Sequence, residues 1–268
     1  MAIPIETVST PDFTMDYFRF GRGEKTLVIL PGLSVQSVMK LADAVAEAYA
    51  ALAEDFTIYL FDRRAQLPPV YPVEEMARDT ARVMDALGLT QVYLFGASQG
   101  GMIALVLAIE RPDLVKKMVL GSTSAHVRPE QAGMLERWIS LAEAGDRKGL
   151  YLAFGEDIYP PAVFRQCRDM LLAGAETATD EDLARFVVLT RGSEGFDVSG
   201  RLEEIQCPVL AIGVYEDAVL DSDATMEIAE KLDARPGFRL FLYIGYGHAA
   251  FDTAPDYRDR MRAFFLAD

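Results

Sequence analysis

The chain has 268 residues, of which 51% are hydrophobic and 25% charged, and its formal net charge is −15. A chain this apolar can build a hydrophobic core, which excludes a disordered protein, and its length suits one large α/β domain or two small domains. The excess of negative charge would repel polyanions, which argues against partners that are attracted by the overall charge of a protein. We therefore expect neither nucleic acid nor an anionic membrane as a partner.

Segments 3–8 and 14–20 alternate polar and apolar residues, which predicts an antiparallel hairpin at a sheet edge. Six later runs are almost continuously apolar, as in parallel strands that are buried on both faces. Amphipathic or apolar helices are predicted between them. The predicted strands are 26–30, 56–61, 91–95, 117–120, 209–212 and 239–244, and the predicted helices are 73–87, 101–109, 222–232 and 255–266. This alternation predicts an α/β fold with a mostly parallel, doubly wound sheet.

The interval 122–200 contains no convincing buried strand, so we predict a helical insertion between two late strands. Thr179 and Asp182 stand at the spacing of a capping box. The expected organisation is a core domain of residues 1–121 and 201–268 with a helical cap at 122–200. Such a layer can simply cover the ends of the sheet, or it can close a pocket there, because open α/β sheets bind ligands at the carboxyl ends of their strands.

Cys167 and Cys207 are too few for a disulfide framework, and no Cys/His cluster offers a metal site. We therefore expect no metal and no cofactor. The N-terminus has no basic segment followed by an apolar one, and the longest apolar run, 102–109, is far shorter than the ~20 residues of a membrane helix. These features predict a cytoplasmic protein with a small-molecule substrate, and they leave the oligomeric state open.

Residues 96–100 read Gly-Ala-Ser-Gln-Gly and match the pattern G-x-S-x-G. A predicted strand precedes the motif and a predicted helix follows it, which is the setting of a nucleophile elbow. The two glycines leave room for a sharp turn that projects the Ser98 hydroxyl. The alternative is a glycine-rich turn with an incidental serine, but the strand–turn–helix context favours a nucleophile.

A serine nucleophile needs a base and a carboxylate that orients the base. Of the two histidines, His248 follows the last predicted strand, so it lies at the same sheet edge as Ser98. His126 starts the helical insertion and is interpreted as a partly exposed loop residue. Asp217 follows the strand 209–212 and is the favoured acid. Three neighbouring carboxylates remain alternatives, namely Glu216, Asp221 and Asp223.

The chain resembles the α/β-hydrolase fold superfamily over essentially its whole length. The resemblance is carried by LVILPGL at 27–33, GASQGG at 96–101, CPVLAIGVYED at 207–217 and GHAAFD at 247–252. The order Ser98, Asp217, His248 is also that of α/β-hydrolases. The resemblance implies an oxyanion hole formed by the backbone amides of Leu33 and Gln99.

Two features depart from the pattern of many relatives. Pro31-Gly32 stands where they have His-Gly, and the turn 62–69 lacks both of the glycines that they carry. The loop beside the site is therefore built differently, so the resemblance alone does not assign a particular relative's substrate to this chain.

We expect a serine hydrolase that cleaves an ester, thioester or lactone of a small organic acid through a triad and an acyl-enzyme. One alternative is a carbon–carbon bond hydrolase of the same fold, and another is a hydrolase-fold protein that binds a ligand without turnover. Aromatic residues of the insertion are candidates for the pocket roof, namely Trp138, Tyr151, Phe154, Tyr159 and Phe164.

Overall fold

The computed structural model of the protein describes residues 2–267 and contains one eight-stranded sheet. Its strands are β1 (Ile5–Ser9), β2 (Thr14–Gly21), β3 (Lys25–Leu30), β4 (Phe56–Arg64), β5 (Val92–Ala97), β6 (Val115–Gly121), β7 (Val209–Val214) and β8 (Arg239–Tyr243). The spatial order is β1-β2-β4-β3-β5-β6-β7-β8. β2 is antiparallel to both of its neighbours, and the strands from β4 to β8 are all parallel.

Helices cover both faces of the sheet. They are α1 (Ala42–Ala48), α2 (Val73–Ala86), α3 (Gln99–Glu110), α4 (Pro129–Glu143), α5 (Arg147–Ile158), α6 (Pro161–Thr177), α7 (Asp180–Arg191), α8 (Asp221–Leu232), α9 (Ala250–Thr253) and α10 (Tyr257–Leu266). The buried faces of α2, α3 and α8 form one hydrophobic core with the sheet, and α1 and α10 form a second core on the opposite face. The predicted mostly parallel, doubly wound α/β sheet is confirmed.

The prediction that the last strand is buried on both faces is wrong. β8 is the edge of the sheet and pairs only with β7, and its first residues Arg239 and Leu240 are exposed. An apolar run cannot reveal this difference, because edge position depends on the order of strands in space. None of the helices in the described chain combines the length and apolarity needed to cross a bilayer.

Four helices, α4 to α7, lie between β6 and β7. They have a small core of their own, in which the Phe154 ring lies 4.8 Å from that of Trp138 and 6.0 Å from that of Phe186, measured between centroids. The capping box starts α7, where the Thr179 hydroxyl accepts a hydrogen bond from the Asp182 amide (3.1 Å) and the Asp182 carboxylate accepts one from the Thr179 amide (3.0 Å).

Replacing Phe265 by Ala should destabilise the core between α10 and the sheet. The ring is 1% exposed and its centroid lies 6.0 Å from that of Phe56 and 5.4 Å from that of Tyr93. Loss of a fully buried aromatic ring costs about 3–5 kcal/mol of unfolding free energy, which urea denaturation would measure. The control Val70→Ala removes a side chain that is 80% exposed and should change that energy by less than about 0.5 kcal/mol. Equal values for the two variants would contradict the packing described.

Candidate active site

Ser98 occupies a strained turn between β5 and α3. Its φ of +51° and ψ of −123° lie in a region that residues with a side chain rarely adopt, and such strain persists only where the surroundings enforce it. The Ser98 amide donates to the Gly121 carbonyl (2.8 Å), and the Ser98 carbonyl accepts from the Thr123 hydroxyl (2.7 Å) and the Gly101 amide (2.8 Å). The backbone is thus held on both sides while the hydroxyl projects from the turn.

Glycine is required on both sides of this turn by close backbone contacts. A Cβ on Gly96 would lie 2.4 Å from the Gly100 carbonyl oxygen, and a Cβ on Gly100 would lie 2.0 Å from the Leu30 carbonyl oxygen. Both distances are far below van der Waals contact. The two motif glycines therefore allow α3 to start directly against the end of β3.

The structure brings Ser98, His248 and Asp217 together, although they lie on separate loops. His248 Nε2 lies 2.9 Å from Ser98 Oγ, and His248 Nδ1 lies 2.8 Å from Asp217 Oδ2 and 3.0 Å from Oδ1. The His248 side chain is 4% exposed and that of Asp217 is 2% exposed. Asp217 Oδ1 also accepts hydrogen bonds from the amides of Val219 (2.9 Å) and Leu220 (3.0 Å), which orient the carboxylate.

The alternative acids have other partners. Glu216 accepts a hydrogen bond from the Gly245 amide (2.8 Å), and Asp221 forms an ion pair with Arg128 (3.1 Å). Asp223 lies 4.0 Å from the same guanidinium. His126 Nδ1 lies 3.5 Å from Glu227 Oε2, and His126 is not among the described residues that line the cavity beside Ser98.

The loop 31–33 approaches the Ser98 turn closely. A Cβ on Gly32 would lie 3.2 Å from the Ser98 Cβ and 3.4 Å from the Ala97 carbonyl oxygen, and Leu33 lines the cavity beside it. The amide of Gln99 is the first of α3, so it has no partner within that helix. Leu33 and Gln99 thus border the space in front of the Ser98 hydroxyl.

A buried arginine joins these two segments. One Arg63 guanidinium nitrogen donates to the Pro31 carbonyl (2.9 Å) and to the Gln99 side-chain oxygen (3.2 Å). Burial lowers the pKa of Arg63 to about 10, and the nearby Asp62 carboxylate opposes that shift. The Gln99 side-chain nitrogen donates in turn to the Leu189 carbonyl at 2.7 Å.

The first residue of the segment 62–69 also contacts the inserted helices. Asp62 accepts hydrogen bonds from the Ser37 hydroxyl (2.5 Å) and from Arg185 on α7 (2.7 Å). Together with the bond between Gln99 and Leu189, this contact ties the inserted helices to the strand ends that carry the site.

A cavity of about 280 Å³ opens beside Ser98 and His248. Most of its wall is apolar, as is common in small-molecule sites. The apolar wall comes both from the sheet side and from the inserted helices, and it includes Ile29, Val38, Leu60, Met102, Met134 and Leu135.

Three of the five aromatic candidates line this cavity, namely Trp138, Phe154 and Tyr159. The expectation for the other two needs correction, because neither is part of the cavity wall. The Tyr151 hydroxyl donates to the Gln36 side chain (3.0 Å), and Phe164 faces Gly155 at the contact between α5 and α6. Helical spacing identifies the apolar face of a helix but not which of its residues reach the cavity.

Sequence reasoning missed several polar residues of the site: Arg63, Gln131, Ser193 and Asp252. For Asp252 a signal existed, since it follows His248 by four residues, about one helical turn. The others come from distant segments and carried no local signal.

Comparison with known proteins agrees with this architecture. The family described as "alpha/beta hydrolase fold" matches residues 25–151. A Pseudomonas savastanoi pv. phaseolicola protein named "Putative carbamate hydrolase RutD" is 32% identical over 227 residues, which cover 78% of this chain and 83% of that protein. The chain belongs to the alpha/beta hydrolase fold family. A protein of the same name from Agrobacterium fabrum is 26% identical over 81% of this chain and 85% of its own.

Solved structures share the whole fold of this alpha/beta hydrolase. MGS-M2, an alpha/beta hydrolase from a Medee basin deep-sea metagenome library, superposes with a TM-score of 0.87 at 22% identity over 98% of each chain. The enol-lactonase from Burkholderia xenovorans LB400 has a TM-score of 0.83 at 18% identity and covers 98% of this chain and 100% of its own. At these identities the likeness concerns the fold alone.

Replacing Gly100 by Ala should destabilise this alpha/beta hydrolase by about 1–3 kcal/mol, because the new methyl group would overlap the Leu30 carbonyl. Gly133→Ala is the matched control in an exposed part of α4. A Cβ there meets nothing within 4 Å, so the better helix propensity of alanine should stabilise by up to about 1 kcal/mol. Thermal unfolding of both variants tests this opposite sign, and a Gly100→Ala protein as stable as the wild type would contradict it.

Proposed function

We propose that the protein is a serine hydrolase that cleaves an ester, thioester or lactone of a small organic acid through Ser98, His248 and Asp217. One observation carries the proposal, namely the 2.9 Å contact of His248 Nε2 with a Ser98 hydroxyl that borders an apolar cavity. A histidine in this position can take the serine proton as the hydroxyl attacks a carbonyl carbon.

In this mechanism the Ser98 oxygen bonds to the carbonyl carbon, and its proton passes to His248 Nε2. The tetrahedral intermediate collapses as His248 returns that proton to the leaving alcohol or thiol. A water molecule, deprotonated by the same histidine, then attacks the acyl carbon. The bond between that carbon and the Ser98 oxygen breaks as His248 returns the proton to the serine, and the acid is released. Asp217 holds Nδ1–H, so the neutral ring presents an unprotonated Nε2 to Ser98 and the imidazolium is stabilised once it forms.

Leu33 and Gln99 are the proposed oxyanion donors. Backbone amides in such positions stabilise the developing negative charge by about 3–4 kcal/mol each, by analogy with measured side-chain donors. Arg63 is a positioning residue in this scheme, because it fixes the Pro31 carbonyl next to one donor and the side chain of the other. One guanidinium nitrogen makes both bonds, and Arg63 does not line the cavity.

The inserted helices act as a cap in this proposal, with residues 1–121 and 201–268 as the core domain and 122–200 as the cap. Trp138 and Phe154 line the cavity from the cap side, which supports a role in excluding water. The substrate is a small molecule, since a cavity of about 280 Å³ accommodates only a compact acyl or alcohol group.

The family membership supports hydrolysis of a carbonyl compound, and the name of the RutD relatives favours a carbamate as a second candidate bond. The same triad would attack a carbamate carbonyl with the same proton transfers. A panel of one aryl ester, one lactone, one thioester, one alkyl carbamate and one 1,3-diketone discriminates these bonds. Turnover of the diketone alone would favour the carbon–carbon hydrolase, and tight binding without turnover would favour a ligand-binding protein.

A p-nitrophenyl alkylphosphonate should label the wild-type protein at Ser98, as the serine oxygen bonds to phosphorus and p-nitrophenolate leaves. Ser98→Ala should show no mass increase, because the attacking oxygen is gone. Intact-mass spectrometry with a release assay at 400 nm measures both events. The control is Ser34→Ala, since Ser34 lines the same cavity but its hydroxyl donates to the Gln36 carbonyl (2.7 Å) instead of facing a base. Labelling of Ser98→Ala at the wild-type rate would contradict the assignment of Ser98 as the nucleophile.

Asp217→Asn should reduce kcat at neutral pH by a factor on the order of 10⁴, because an amide favours the wrong tautomer of His248 and cannot stabilise its charged form. The matched change Asp221→Asn removes a carboxylate that pairs with Arg128 at the surface, and kcat should fall less than about twofold. Steady-state kinetics on an ester that the wild type cleaves compares the two. A larger loss of kcat in Asp221→Asn than in Asp217→Asn would identify Asp221 as the orienting acid.

A further inference from the structure

Besides the residues of the proposed triad, one carboxylate belongs to the described wall of the cavity. Among the lining residues within 2–267, Asp252 is the only aspartate, glutamate, lysine or arginine. It lies on the short helix α9, about one turn after His248. A lone carboxylate in an otherwise apolar cavity is energetically unfavourable unless a partner compensates its charge.

No such partner is present in the part of the chain that the structure describes. The Asp252 carboxylate forms no hydrogen bond within 3.5 Å and no ion pair within 4.0 Å to any described residue. The cation that influences it is Arg258 on α10, but that guanidinium lies over the Tyr49 ring, 4.8 Å from its centroid. The Asp252 charge also acts on three tyrosines and raises the pKa of each, namely Tyr49, Tyr159 and Tyr257.

The Asp252 side chain is nevertheless accessible. Asp252 is an exposed residue. Desolvation nevertheless raises the pKa of its carboxyl above the usual value, against the opposing charge of Arg258. The exposure and the raised pKa agree with an exposed surface of Asp252 that faces the cavity and not bulk water. A ligand in the cavity can reach that surface. Burial also raises the pKa of Tyr49 and Tyr159, and the Asp252 charge adds to both shifts, so these cavity residues are close neighbours.

We propose that Asp252 is a specificity-determining residue that binds a protonated amine on the substrate, so the preferred substrates are carbonyl compounds that carry an ammonium group. This inference rests on the proposed function, because it names the substrate class of the same cavity. An ammonium group would supply the missing partner of the carboxylate in a site of low polarity, where charge-assisted hydrogen bonds are strong. No lysine or arginine lines the described wall, so an anionic substrate group would find no countercharge to offset its repulsion by Asp252.

The test compares esters that differ only by an ammonium group. One pair places it on the alcohol, with 3-(dimethylamino)propyl acetate against its isostere 4-methylpentyl acetate. The other places it on the acyl chain, with propyl 4-(dimethylamino)butanoate against propyl 5-methylhexanoate. Calorimetry at pH 7.5 on the Ser98→Ala background measures dissociation constants without turnover.

We expect the ammonium member of at least one pair to bind ten times more tightly than its isostere or better, and Asp252→Asn to reduce that ratio to about one. Asp259→Asn is the matched control, since it removes the same charge from an exposed position on α10 and should keep the ratio. The inference is overturned if Ser98→Ala shows no ammonium preference in either pair, or if the preference survives Asp252→Asn. Hydrolysis of the neutral esters by the wild type separately tests the proposed function.

A stability measurement distinguishes this role from a structural one. Because burial raises the pKa of Asp252 in the folded chain, the protonated carboxyl favours the folded state, and that contribution is lost as pH rises through the raised pKa. At pH 8 the charged carboxylate is then unfavourable, so Asp252→Asn should have a Tm equal to or above that of Asp259→Asn. A clearly lower Tm would show a structural carboxylate and overturn the inference.

Discussion

The close contact between the start of α3 and the end of β3 is the constraint on which the rest of the site depends. A Cβ on residue 100 would lie 2.0 Å from the Leu30 carbonyl oxygen, so glycine lets the helix begin there. Ser98, two residues earlier, has a positive φ and lies where β5 ends, at the carboxyl edge of the sheet. The loop after β3 also lies beside Ser98, since a Cβ on Gly32 would be 3.2 Å from the Ser98 Cβ.

Around this turn, buried polar groups are joined into a network and not left as isolated contacts. Arg63 binds the loop after β3 and the Gln99 side chain, and Gln99 continues to Leu189 on α7. Asp62 reaches the same helix through Arg185. A buried polar group without a partner costs about 1–3 kcal/mol, so these bonds strongly favour one arrangement of the inserted helices over the sheet.

The overall charge of −15 is a property of the surface and describes the site poorly. The cavity is mostly apolar, and its electrostatic character depends on the Asp252 carboxylate and its incomplete neutralisation by Arg258. The net charge therefore disfavours polyanionic partners. Selection among small substrates depends instead on the Asp252 carboxylate and its immediate surroundings.

The sequence by itself determined the alternation of strands and helices, the helical insertion after β6, and the G-x-S-x-G turn, because these follow from local periodicity and from glycine sterics. It also predicted that the loops of His248 and Asp217 lie at the same sheet edge as Ser98, since parallel strands bring their carboxyl ends to one edge. Only the tertiary structure decided the edge position of β8, the aromatic residues that reach the cavity, the Arg63–Gln99 network and the lack of a partner for Asp252 among residues 2–267. These depend on contacts between segments far apart in the chain, and no local pattern encodes which side chain will face which.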